Sequence, residues 1–188
     1  MREILLAVIV AFAGLPCAAS AQSIVEKAEI CAACHGANGI PQQPVIPVIW
    51  GQQLGYLYIQ LRDFKSGARK NELMAPIVQT LEHDDMLALA QYFSRKVWPD
   101  LQQPRASTAV AAQAQRANAS IACTSCHQEG YKGDGTQPRL AGQHRDYLKK
   151  TMEDFRTGAR GNNPGMTDLM KATSEADLAA LATYLAGL

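Results

Sequence analysis

An imbalance of charge is the first thing missing from this 188-residue chain: its formal net charge is +1. No strong field is available to steer it onto nucleic acid or an acidic membrane surface. No apolar run reaches the ~20 residues of a membrane-spanning helix; residues 4–15 form an apolar run of 12, closed by Pro16. No stretch alternates apolar and polar residues with the period of a strand, so nothing argues for a sheet. Cysteine for structural disulfides is lacking as well. Of five cysteines, Cys17 falls within the first 21 residues and the other four make two C-x-x-C pairs.

Residues 1–21 read as a secretory signal peptide. Arg2 supplies the basic start, 4–15 the apolar core, and Ala19-Ser20-Ala21 a small-residue cleavage site near Ala21. The mature chain is therefore expected in an oxidising compartment, where cysteines usually form disulfides. Another chemistry accounts for these four.

Each pair is followed at once by histidine: Cys31-Ala32-Ala33-Cys34-His35 and Cys123-Thr124-Ser125-Cys126-His127. C-x-x-C-H is the pattern of covalent c-type haem attachment. Two thiols three residues apart on a helical turn can each add to one vinyl group, and the adjacent His reaches iron from below. Two covalently bound haem c groups are therefore expected. Zinc fits less well, because structural zinc usually gathers its pairs closer in sequence. A thioredoxin-like site would need a βαβ context, which is missing.

The chain is a tandem repeat. The cysteines and histidines recur 92 positions apart. Pro47/Pro138, Gly51-Gln52/Gly142-Gln143, Tyr56-Leu57/Tyr147-Leu148, Asp63-Phe64/Asp154-Phe155 and Gly67-Ala68-Arg69/Gly158-Ala159-Arg160 recur at 91. Met74/Met166, Asp85/Asp177, Leu89-Ala90/Leu181-Ala182 and Tyr92/Tyr184 return to 92. The division falls near Gln102-Gln103-Pro104, giving domains at 22–100 and 105–188. Each domain is too small to have more than a marginal core without help, and a large apolar macrocycle would supply it.

The pattern is all-α. Helices are predicted over 23–34 and about 109–126, each ending in C-x-x-C-H. A second helix is predicted over 52–66, with Leu57, Leu61 and Phe64 on one face, repeated as Leu148, Met152 and Phe155. A third carries Met86, Leu89, Ala90 and Phe93, repeated as Leu178, Leu181, Ala182 and Leu185. Gly67 and Gly158 are natural helix stops, and Ser174 with Asp177 makes a capping box.

Iron that only carries electrons takes a second protein ligand. Met74 and Met166 are the expected sixth ligands, because they alone among the methionines repeat; both fall in the predicted loop between the second and third helices. Met170, one turn beyond Met166, is the rival. His83 and His144 have no histidine counterparts and are expected at the surface. The carbonyls of Pro47 and Pro138 are candidate acceptors for the ligating histidines. Arg69 and Arg160 suit either haem propionates or the negative end of a helix. Tyr92 and Tyr184 are expected to pack helix on helix.

With Cys-x-x-Cys-His, Pro, Gly-Gln, Phe-x-x-Gly-Ala-Arg, Met and a final Leu-Ala-x-Tyr helix in each half, the chain resembles the dihaem class I cytochromes c, and most of all the cytochrome c4 family. Leu140-Ala141-Gly142-Gln143 and Asn163-Pro164-Gly165-Met166 are especially typical, while Trp50 and Leu73 depart from the pattern in the first half. The resemblance implies two tandem monohaem cytochrome c-type domains related by a pseudo-twofold, with His/Met iron in each. It also implies periplasmic electron carriage, from a quinol-oxidising complex or a dehydrogenase to a terminal oxidase, with peripheral membrane association among the implied behaviours. The same architecture serves as the haem subunit of flavocytochrome c sulfide dehydrogenase, which is the alternative reading. An enzyme such as a dihaem peroxidase would need one iron with an exchangeable ligand; both halves offer Met, so an electron-transfer protein is expected.

Overall fold

The computed structural model describes residues 22–188; the signal segment and its cleavage site lie outside them. Among the described residues the regular structure is helical, with one isolated bridge between Asp134 and Gln137. The first half holds α1 (Ile24–His35), α2 (Leu54–Ser66), α3 (Met74–Gln79) and α4 (His83–Ser94). The second holds α5 (Thr108–Ile121), α6 (Thr124–His127), α7 (Arg145–Thr157), α8 (Pro164–Lys171) and α9 (Glu175–Ala186). No described helix is long and apolar enough to cross a membrane.

Local chemistry sets the ends. Ser23 caps α1 in a reciprocal box with Glu26, and Glu82 does the same for α4 with Asp85. The hydroxyl of Ser174 accepts from the Asp177 N–H at the start of α9, but Asp177 takes the Ser174 hydroxyl proton instead of closing the expected box. Gly67 and Gly158 end α2 and α7 in the left-handed conformation.

One predicted helix is broken. The second half's first helix was expected to run through its cysteine pair, but it stops at Ala122, which is left-handed. The Ser125 hydroxyl donates to the freed Ala122 carbonyl at 2.7 Å. The first half has Ala33 at the equivalent position, which cannot do this, and α1 runs unbroken to His35.

Two separate apolar cores form. α1 and α2 pack on α4 around Leu57, Phe64, Val78, Leu89 and Phe93. α5 and α7 pack on α9 around Leu148, Phe155, Leu178, Leu181 and Leu185. The segment between the halves docks on the second: the Gln103 side chain donates to the Gln143 and Ala186 carbonyls and accepts from the Arg145 N–H.

The halves meet through reciprocal hydrogen bonds, the signature of the pseudo-twofold. Gln143 accepts from the Val48 N–H at 2.9 Å and donates to the Val48 carbonyl at 3.0 Å. Gln52 accepts from the Arg139 N–H at 2.7 Å and donates to the Arg139 carbonyl at 3.0 Å. Each glutamine follows a glycine at positive φ, Gly51 at 65° and Gly142 at 73°. A side chain at Gly51 would press within 2.8 Å of the Trp98 backbone. The two glycine N–H groups donate to Phe93 and Leu185, tying each glutamine to the last helix of its own half.

Candidate haem sites and the interface between them

Both histidines are buried and fixed the same way. His35 Nδ1 lies 2.8 Å from the Pro47 carbonyl, and His127 Nδ1 lies 2.9 Å from the Pro138 carbonyl. A carbonyl only accepts, so each Nδ1 carries the proton and Nε2 keeps its lone pair for a metal. Burial lowers both histidine pKa values, with the proline carbonyls partly offsetting it, so the rings stay neutral as ligation requires.

None of the four cysteines is in a disulfide; Cys31 and Cys123 are half-buried, Cys34 and Cys126 exposed. Burial pushes the Cys31 thiol up to about 11 and raises Cys123 in the same direction. Among the described residues no three His, Cys, Asp or Glu side chains gather as a metal site, which leaves the zinc alternative without a ligand set. Neutral histidines with a free Nε2, beside paired thiols at the edge of an apolar core, suit haem c.

Met74 and Met166 are not in a loop as expected. Met74 opens α3 and Met166 lies in the first turn of α8. In each half an asparagine three residues earlier, Asn71 or Asn163, accepts from the methionine N–H at 2.9 and 3.0 Å. Asn163 is the N-cap of α8, while Asn71 bonds from the turn before α3, whose own N-cap is Leu73. Met74 and Cys31 border the first core, and Met166 and Cys123 the second. Met170 is 3% exposed within the second core, where it fills space.

Arg69 and Arg160 come together at the interface, and neither touches a carboxylate among the described residues. Both donate to the side-chain oxygen Oε1 of Gln60, at 2.9 and 2.8 Å. Arg69 also donates to the Tyr147 hydroxyl, and Arg160 to the Tyr56 hydroxyl. Burial raises Tyr56; at Tyr147 the opposing pull of burial is overcome by the Arg69 and Arg160 guanidiniums, which lower it. Asn162 accepts from Arg160 and donates to Gln60 and, at 2.7 Å, to buried Asp63. It lies in the stretch where the second half is one residue longer than the first.

Sequence reasoning missed Gln60, Asn162 and the tyrosine pair as interface residues. The repeated Tyr-Leu and Gly-Gln were the available signals, used only as markers of duplication.

His83 is exposed as expected, whereas His144 is half-buried, with its Nε2 enclosed and without a hydrogen-bond partner. Its counterpart Gln53 donates across the interface to the Lys132 and Gly133 carbonyls. Burial lowers the His144 pKa below its ordinary 6.5, partly offset by a backbone hydrogen bond to Pro41 and by Asp146. The unfolded chain therefore binds the proton more readily. This share of stability is complete above pH 6.5 and is lost as pH falls towards the lowered folded value. H144Q should flatten that loss, measured by chemical denaturation across the window.

The Cytochrome c family model matches residues 109–188. The cytochrome c4 of Pseudomonas aeruginosa is 36% identical over 172 residues, covering 86% of this chain and 85% of that one. A thiosulfate dehydrogenase electron acceptor of Stutzerimonas stutzeri is 33% identical over 169 residues, covering 84% of this chain and 78% of that one. The crystal structure of reduced cytochrome c4 from Pseudomonas stutzeri superposes with a TM-score of 0.77 at 30% identity, over 90% of this chain and all of that one. With the duplicated C-x-x-C-H, the matched histidine geometry and these likenesses together, the chain belongs to the cytochrome c4 family, electron-transfer proteins with two haem c groups.

Proposed function

We propose that this protein is a periplasmic electron carrier of a respiratory chain, with two domains at 22–100 and 105–188. His35 and Met74 would hold one iron, and His127 and Met166 the other. Cys31, Cys34, Cys123 and Cys126 would hold the macrocycles. The observation that carries the reading is the paired fixation of His35 and His127 by proline carbonyls, which favours a permanent ligand in both halves. Haem supplies reversible one-electron transfer when bound, and two strong protein ligands keep its geometry through both oxidation states. Arg69 and Arg160, lacking carboxylate partners among the described residues, would take the propionates.

A quinol-oxidising complex as donor and a terminal oxidase as acceptor fit this role. The likeness to a thiosulfate dehydrogenase electron acceptor favours a second reading in which a dehydrogenase is the donor. Redox titration of the purified holoprotein should resolve two one-electron steps, and carbon monoxide added to the reduced protein should change neither haem spectrum rapidly. Rapid binding at one haem, or peroxide turnover, would overturn the carrier reading in favour of an enzyme.

A further inference from the structure

The interface glutamines meet the histidine-holding loops at one particular bond. The Pro47 carbonyl and the Val48 N–H belong to the same planar peptide group. The carbonyl accepts from His35 Nδ1 at 2.8 Å, and the N–H donates to Gln143 Oε1 at 2.9 Å. The second half repeats this. The Pro138 carbonyl accepts from His127 Nδ1 at 2.9 Å, and the Arg139 N–H donates to Gln52 Oε1 at 2.7 Å. Each chain runs from one half's glutamine through a peptide group to the other half's histidine.

Hydrogen bonds in series polarise one another. A peptide whose N–H is engaged places more negative charge on its oxygen, so it is a better acceptor. A better acceptor draws the Nδ1 proton and makes the imidazole a stronger donor to a metal. The site is built to keep this link. Gln52 is 3% exposed, Gln143 2% and Val48 1%, so water cannot replace the amide. Both side-chain polar atoms of each glutamine are engaged, which fixes its orientation.

We propose that Gln143 is a positioning residue for the first half's haem and Gln52 for the second half's, so that each half tunes the proximal histidine of the other. The sign follows from ligand strength. Stronger proximal donation stabilises ferric iron, so removing the glutamine should raise the potential of the haem in the opposite half. This rests on His35 and His127 being the proximal ligands.

The test uses holoprotein carrying Gln143→Leu or Gln52→Leu, which keep bulk and remove the amide. Nuclear magnetic resonance with labelled histidine reads each Nδ1–H, and haem-resolved redox titration reads each potential. Q143L should shift the His35 Nδ1–H resonance and favour reduction of the first haem by up to about tenfold, ~59 mV for one electron, with His127 and the second haem little changed. Q52L should do the reverse. The two variants are independent, so failure of one to fold leaves the other decisive, and thermal melts report which has folded. Shifts in the variant's own half, equal shifts in both halves, or none would sink the crossed assignment. Absence of iron-shifted histidine signals in the unaltered protein would instead sink the ligand reading.

Discussion

A protein in which Cys123 and Cys126 are both serine should carry one covalent haem instead of two, and its second half should fail to fold. The reason lies in the second core. Of its fourteen buried residues, six are alanine: Ala114, Ala117, Ala141, Ala180, Ala182 and Ala186. The first core has two alanines, Ala28 and Ala90, among nine, so the second and first halves hold only eight and seven larger core side chains. Small side chains bury little area, so a domain of this size depends on the macrocycle. A haem buries several times the ~150–250 Å² of one aromatic side chain. At ~25 cal/mol per Å² that is on the order of 10 kcal/mol, comparable with the whole stability of a domain, about 5–15 kcal/mol. Haem per chain and far-ultraviolet circular dichroism measure the outcome. The matching change at Cys31 and Cys34 should cost the first half a comparable share of its helix, since neither core is much the richer in big side chains. A second half that kept its helices without attached haem would contradict this account of its core.

Methionine substitutions should give the second large effect, and they separate Met166 from Met170. Met166→Ala removes a thioether that favours reduced iron. The potential of one haem should fall by on the order of 0.1 V or more, within the ~0.8 V that axial ligands command. Carbon monoxide should then bind that haem alone. Met170→Ala should instead cost about 2–5 kcal/mol of stability, as a buried cavity does, and leave both haem spectra unchanged. The contrast follows from placement: Met170 is enclosed by its core, whereas Met166 stands at the core's edge, its backbone held by Asn163. An unchanged potential in Met166→Ala, or an altered haem spectrum in Met170→Ala, would reverse the assignment.

The interface adds an asymmetry that the repeat alone would hide. Gln60 takes both arginines from one side, and its counterpart Thr151 has no such amide. Asn162, from the longer loop, ties the segment leading to Met166 onto Asp63 of the first half. The two sites share a plan but not their surroundings, which is a physical basis for unequal potentials.

The chain's own order of residues determined the attachment chemistry, the all-helical class and the duplication. These depend on neighbours: thiols three apart, a histidine adjacent, apolar residues at helical spacing, a glycine where a helix stops. Tertiary structure decided the rest. Nothing local to Gln143 indicates Val48 as its partner, and nothing local to His144 indicates that its Nε2 is enclosed. The break at Ala122 needed a serine hydroxyl to reach a freed carbonyl, and the start of α8 needed an asparagine cap. Pairings between residues some ninety positions apart arise only when two halves dock, and docking depends on the shape of both surfaces together.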